Sequence, residues 1–283
     1  MRSLIIILFC VCCCTACGQA KKPIGYGEQT TSPKPSSQVN NKVQNKTFTV
    51  NGVSFKMIRV QGATFTMGAT SEQGSDAYGR EKPTHQVTLS SYYIGETEVT
   101  EALWKAVMGT NPSYFKGDKL PVKSVSWNDC QTFIAKLNQL TGKKFRLPTE
   151  AEWEFAAKGG TKSRGYKYAG SNDINAVAWY EVNAYDKGES SPDYGTHVVK
   201  SKAPNELGIY DMSGNVYEWC QDWCGDYSSS SQSNPTGPSS GSNRVIRGGG
   251  WWCNAGFCRT AFRYSCAPVL ARADLGLRLA LSE

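Results

Sequence analysis

At 283 residues, 40% of them apolar and 19% charged, the chain can bury a sizeable core, and its 8 Trp, 14 Tyr and 10 Phe supply bulky groups to fill it. The net charge of +7 is spread thinly, with no run of five or more Lys or Arg, which argues against nucleic acid as a partner. Only two histidines occur, His85 and His197, and they share no ligand spacing, which argues against a histidine-based iron or zinc site.

The N-terminus reads as an export signal. Arg2 precedes an apolar stretch from Leu4 to Cys14, too short for a permanent membrane span but suited to a signal-peptide core. Thr15 and Ala16 before Cys17 resemble a bacterial lipobox, with Cys14 standing where such motifs usually carry Leu. Residues 1–17 are therefore expected to be a lipoprotein signal peptide. Cys17 is the expected lipidation site, anchoring an exported protein to the cell membrane, periplasmic or at the cell surface. Residues 18–46, rich in Ser, Thr, Pro, Lys, Gln and Asn, read as a disordered linker. Setting residues 1–17 aside leaves Cys130, Cys220, Cys224, Cys253, Cys258 and Cys266, an even set that suits disulfides in an exported protein and whose pairing the sequence leaves open.

Order is expected to begin near Phe48. Apolar residues at strand spacing around Asn51-Gly52 predict a hairpin, and residues 87–94 predict one further strand. Caps place three helices. One runs from Glu101 to Met108 after Thr100 and stops at Gly109. A second starts after Ser126, carries Phe133, Ile134, Leu137 and Leu140 inward, and ends before Gly142. A third follows the capping box of Thr149 with Glu152 and ends at Gly159-Gly160. Beyond that point the 28 Gly and 12 Pro of the chain point to short strands and loops, with residues 228–243 a low-complexity surface loop.

Several segments recur in a recognisable order: Phe65-Thr66-Met67-Gly68; Glu96-Thr97-Glu98-Val99-Thr100; Arg146-Leu147-Pro148-Thr149-Glu150-Ala151-Glu152-Trp153; Gly214-Asn215-Val216-Tyr217-Glu218-Trp219; Arg247-Gly248-Gly249-Gly250-Trp251; and Leu275-Gly276-Leu277-Arg278. Together they resemble the formylglycine-generating enzyme, or sulfatase-modifying factor, family. The resemblance implies one α+β domain over about residues 47–281, with a C-type-lectin-like, loop-rich fold of low regular secondary structure, stabilised by calcium. For active members it implies a copper-dependent oxidase that converts a peptide cysteine to formylglycine with molecular oxygen.

Cys253 and Cys258 stand after the glycine turn, where the family's copper-binding, catalytic pair falls, and soft thiolates suit Cu(I). This chain departs from the family around them. Asn254-Ala255-Gly256-Phe257 replaces the His-Arg-Ser-Tyr between the cysteines, Gly250 stands where a serine is expected, and Tyr217 replaces a Trp. The plain alternative is a disulfide or a pair of buried thiols in a non-catalytic relative. By the same resemblance Asp211, Gly214, Val216 and Glu218 match a calcium site, with Asp211 standing where family members carry Asn, and the carboxylates and carbonyls of this turn suit that cation. Glu150, Glu152 and Glu154 read as capping and helix-surface acids rather than a hydrolytic pair. His197 reads as part of a strand. Two functions follow: an envelope oxidase acting on a cysteine-containing peptide, or a lectin-like binding or scaffold domain for a peptide, protein or surface ligand. A sulfoxide-synthase activity would need a histidine cluster that two isolated histidines do not form.

Overall fold

The structure, a computed structural model, describes residues 44–283. The expected signal peptide, Cys17 and nearly all of the expected linker lie outside the described residues. Among the described residues no helix is long and apolar enough to cross a membrane.

Strand β1 (Lys46–Val50) starts one residue before the expected domain boundary and pairs with β2 (Val53–Val60), Phe48 opposite Phe55. Asn51 and Gly52 turn the hairpin with φ of 46° and 83°, the left-handed pair that this dipeptide tolerates best. The remaining strands are β3 (Thr64–Met67), β4 (His85–Thr88), β5 (Tyr92–Gly95), β6 (Phe145–Arg146), β7 (Tyr217–Trp223), β8 (Gln232–Ser233), β9 (Arg244–Arg247), β10 (Arg263–Cys266), β11 (Leu275–Leu277) and β12 (Ala280–Ser282). They form three sheets, ordered β1-β2-β5-β12-β6, β10-β9-β7-β11 and β3-β4-β8. The single strand expected over residues 87–94 is two strands in two sheets. Leu89 N donates to Ala63 O and Ser91 Oγ accepts from Gly62 N, and these bonds to the link between β2 and β3 take the chain across.

Helices α1 (Glu101–Met108), α2 (Trp127–Thr141) and α3 (Glu150–Ala157) lie where their caps place them, and a short α4 (Ile174–Val177) follows. Trp104 of α1 stacks on Phe133 of α2 at 4.8 Å, at the centre of one core. Leu140 does not point inward as expected. It is 53% exposed, because the buried stripe of Cys130, Phe133, Ile134 and Leu137 turns away from it.

Helix α3 is buried along its whole length, so the expected helix-surface acids are core residues. Glu154 meets Arg247 and Lys158, Glu150 meets Arg263 at 2.6 Å, and Glu152 meets Arg146 at 2.6 Å. Glu81 with Arg259 and Glu218 with Arg278, both at 2.6 Å, add two more buried pairs. These guanidiniums also donate to loop carbonyls: Arg278 to Gly95 and Tyr210, Arg263 to Gly225, Arg259 to Asp76. Loops that lack a ladder still need their buried carbonyls paired, and the five-donor fork of arginine does this while closing an ion pair.

Candidate functional site

Strand β9 ends at Arg247 and delivers the chain into the turn at Gly248 and Gly249, with φ of 97° and 74°. A Cβ at position 249 would lie 2.8 Å from Cys258 Sγ, so the close approach of the turn to the second cysteine requires glycine there. Asn254 Oδ1 accepts from Gly256 N at 3.0 Å and caps a short turn, Ala255–Cys258, which folds Cys258 back beside Cys253. Cys253 O accepts from Glu181 N at 3.0 Å, and Cys258 O accepts from Ser213 Oγ at 2.7 Å, which fixes both residues from other loops.

All six cysteines of the described residues are unpaired thiols, and Cys253 and Cys258 are buried. Burial pushes the Cys253 thiol up to about 11, an effect that the Tyr217 hydroxyl moderates by hydrogen bonding. Burial raises Cys258 well above the usual thiol range, and the neighbouring Cys253 adds to it. Both are therefore neutral thiols near pH 7, unlike the thiolates of reactive cysteines. The hydroxyl of Tyr217, where the family carries Trp, faces Cys253.

Above Cys253 opens a cleft of about 480 Å³ lined by Arg80, Glu181, Tyr217, Trp252, Asn254, Phe257, Phe262, Tyr264 and Arg272. Trp252 and Tyr264 are 37% and 43% exposed. The cleft thus combines aromatic walls, two arginines and one carboxylate over a thiol floor. Arg80, Glu181 and Tyr264 come from three separate loops and strands, so no local pattern marked them.

The expected calcium set is brought together only in part. The turn from Asp211 to Glu218 wraps around Glu98, whose carboxylate accepts from Asn215 Nδ2 at 3.0 Å and Val216 N at 3.3 Å. Glu218 is fully occupied, accepting from Arg278 through Nη2 at 2.6 Å and from Trp153 Nε1 at 2.6 Å. Asp211 accepts from Lys200 N at 2.8 Å. Glu98, Asp211 and Glu218 all lie in the field of the Arg278 guanidinium, with Lys200 a further cation near Asp211. Burial pushes Asp211 up to about 6, and burial together with Asp211 and Glu218 raises Glu98 well above the carboxylate range. This excess of buried negative charge suits a divalent cation, with Asp211 and Glu98 rather than Glu218 as the under-compensated donors. Among the described residues no three His, Cys, Asp or Glu side chains converge as a ready metal group, so a cation here would need backbone oxygens as well.

His197 lies in no strand. Its ring stacks on Trp179 at 3.5 Å, and its N–H donates to Asn215 Oδ1 instead of a ladder.

Residues 44–283 match the Sulfatase-modifying factor enzyme 1-like domain. The chain belongs to the sulfatase-modifying factor family. It is 36% identical over 274 residues to the chaperone protein LppX of Paenibacillus barcinonensis, covering 82% of this chain and 91% of that protein. To the formylglycine-generating enzyme of Streptomyces coelicolor it is 32% identical over 288 residues, covering 79% and 88%. The solved variable protein 1 of Treponema denticola superposes with a TM-score of 0.74 at 36% identity, over 84% of this chain and 99% of that one. The fold is accordingly the α+β, loop-rich, C-type-lectin-like fold of the sulfatase-modifying factors, in one domain.

Proposed function

We propose that this sulfatase-modifying factor domain is a lipid-anchored binding module of the cell envelope that holds a segment of another protein in the cleft above Cys253. The observation that carries this reading is the cleft itself. Exposed aromatic rings and arginines around a fixed, desolvated floor are the composition of interface hot spots. Relatives named as a chaperone and as a variable protein carry the same domain, which agrees with a binding role. Burial keeps the thiols of the floor protonated, which supports binding over thiolate chemistry in the resting protein. Random peptides displayed for panning against the full chain should yield binders that lose affinity for the Trp252→Ala, Tyr264→Ala double variant. Binders indifferent to that variant, or none, would refute the reading.

The unpaired state of Cys253 and Cys258 favours a second reading, a formylglycine-generating oxidase. The residues fit Cu(I), since two adjacent thiols on one tight turn offer soft donors. Copper, when bound, would supply the site for a peptide thiolate and for oxygen activation. Cys253 and Cys258 would hold it, with Tyr217 beside Cys253 and the aromatic walls keeping water from the floor. Calcium is proposed as a structural ion at the turn of Asp211.

A further inference from the structure

Two charges in the cleft have no partner. The Arg80 guanidinium lies among three rings, its carbon 5.2 Å from the centroid of Tyr264, 5.5 Å from Tyr78 and 5.9 Å from Phe262. Aromatic neighbours at this range hold a cation by electrostatic attraction without consuming its N–H donors. The acids nearby are engaged elsewhere: Glu81 by Arg259, Glu150 by Arg263 and Asp274 by Arg272, each at 2.6 Å. Among the described residues no carboxylate lies within ion-pair reach of Arg80, and its side-chain donors make no hydrogen bond. Its five donors are thus uncommitted, on an exposed residue that lines the cleft.

Glu181 also lines the cleft, tied through its backbone to Cys253, and it too has no cation within ion-pair reach among the described residues. A carboxylate that entered there would meet its like, whereas one beside Arg80 would meet a planar fork suited to bidentate pairing. Most of the other lining residues are aromatic.

We infer that the cleft takes a protein segment presenting a single acidic side chain beside an apolar or aromatic one. The carboxylate pairs with Arg80, and the apolar group lies against Tyr264 and Trp252. The inference rests on the cleft being a binding site and narrows what it binds. Glu181 disfavours a second acid, so the preference is for one carboxylate and not for a polyanion.

The test uses the peptides selected by panning against the full chain. They should carry one Asp or Glu next to an apolar residue. A synthetic selected peptide should lose at least about tenfold in affinity when its acid is changed to the amide, as loss of a charged hydrogen bond implies. Arg80→Glu should lose the acidic peptide to a similar extent and gain affinity for the same peptide with Lys in place of its acid. Arg80 is exposed, so an unchanged melting curve for the variant confirms that the effect is local. Peptides that depend on Trp252 and Tyr264 yet bind equally well as acid or amide would overturn the acidic preference and leave the cleft reading standing. Peptides indifferent to Trp252 and Tyr264 would overturn both.

Discussion

Cys253 and Tyr217 show how one side chain sets the chemistry of another. A thiol pushed up to about 11 is almost wholly protonated at pH 7, and its thiolate fraction grows about tenfold for each pH unit below that value. Native-state alkylation of Cys253 should therefore be slow at pH 7 and rise steeply toward pH 9. The Tyr217 hydroxyl lowers the thiol's proton affinity, so Tyr217→Phe should slow alkylation further at every pH in that window. Mass spectrometry of alkylated peptides reads this directly, and a flat rate between pH 7 and 9 would show that the thiol is not so shifted. The same preparation tests the oxidase reading. One Cu(I) per chain, lost in Cys253→Ser and in Cys258→Ser, would support it, since a hydroxyl is a poor ligand for Cu(I). Free thiols that bind no copper would sink it. Of this site the sequence showed the cysteine pair and its departures from the family. It did not show Arg80, Glu181 or Tyr264, because their convergence depends on chain crossings between distant segments and not on spacing.

Helix α3 separates what is local from what is not. Its start was legible because Thr149 and Glu152 satisfy each other's backbone across three residues, and the structure has both halves of that box. Its burial was not, because the groups that neutralise its acids arrive from far along the chain, Arg247 and Arg263 among them. Three glutamates on one helix look like a solvated face until those partners are known. The same contrast holds for residues 87–94, where strand propensity was real but the switch between sheets was fixed by bonds to residues 62 and 63. Two substitutions on this helix should differ sharply. Thr149→Ala removes one cap and should cost about 1 kcal/mol. Glu154→Ala leaves the buried Arg247 without its main partner and should cost on the order of 3 to 5 kcal/mol. Urea unfolding of both variants measures the pair, and similar small losses would mean that Arg247 finds another acceptor.

Across the whole domain, the first and last described strands belong to one sheet, with β1 at its edge and β12 lying between β5 and β6. Just before β12, Arg278 bonds to Glu218, Gly95 and Tyr210, so the C-terminal segment also locks the turn that carries Asp211. Glu98 and Asp211 add buried negative charge at this junction beyond what Arg278 balances, and burial drives the proton affinity of both upward. A calcium ion bound there would join two distant parts of the chain, at Glu98 and at Asp211, and relieve that charge. A ligand that binds only the folded state adds RT ln(1 + [L]/Kd), which is about 2.7 kcal/mol at a hundredfold excess over Kd. Calcium should then raise the melting temperature, and chelation should lower it. The discriminating variant is Asp211→Ala, which removes the side-chain oxygen that calcium would use, and whose loss of the acceptor for Lys200 N costs the same with or without the ion. Glu218→Ala discriminates poorly, since it strands the buried Arg278 and destabilises the fold with or without the ion. Asp211→Ala should melt at nearly the same temperature in calcium and in chelator. A wild-type protein indifferent to chelation, or a variant that responds to calcium as the wild type does, would remove calcium from this junction and leave Arg278 with Lys200 as its counter-charges.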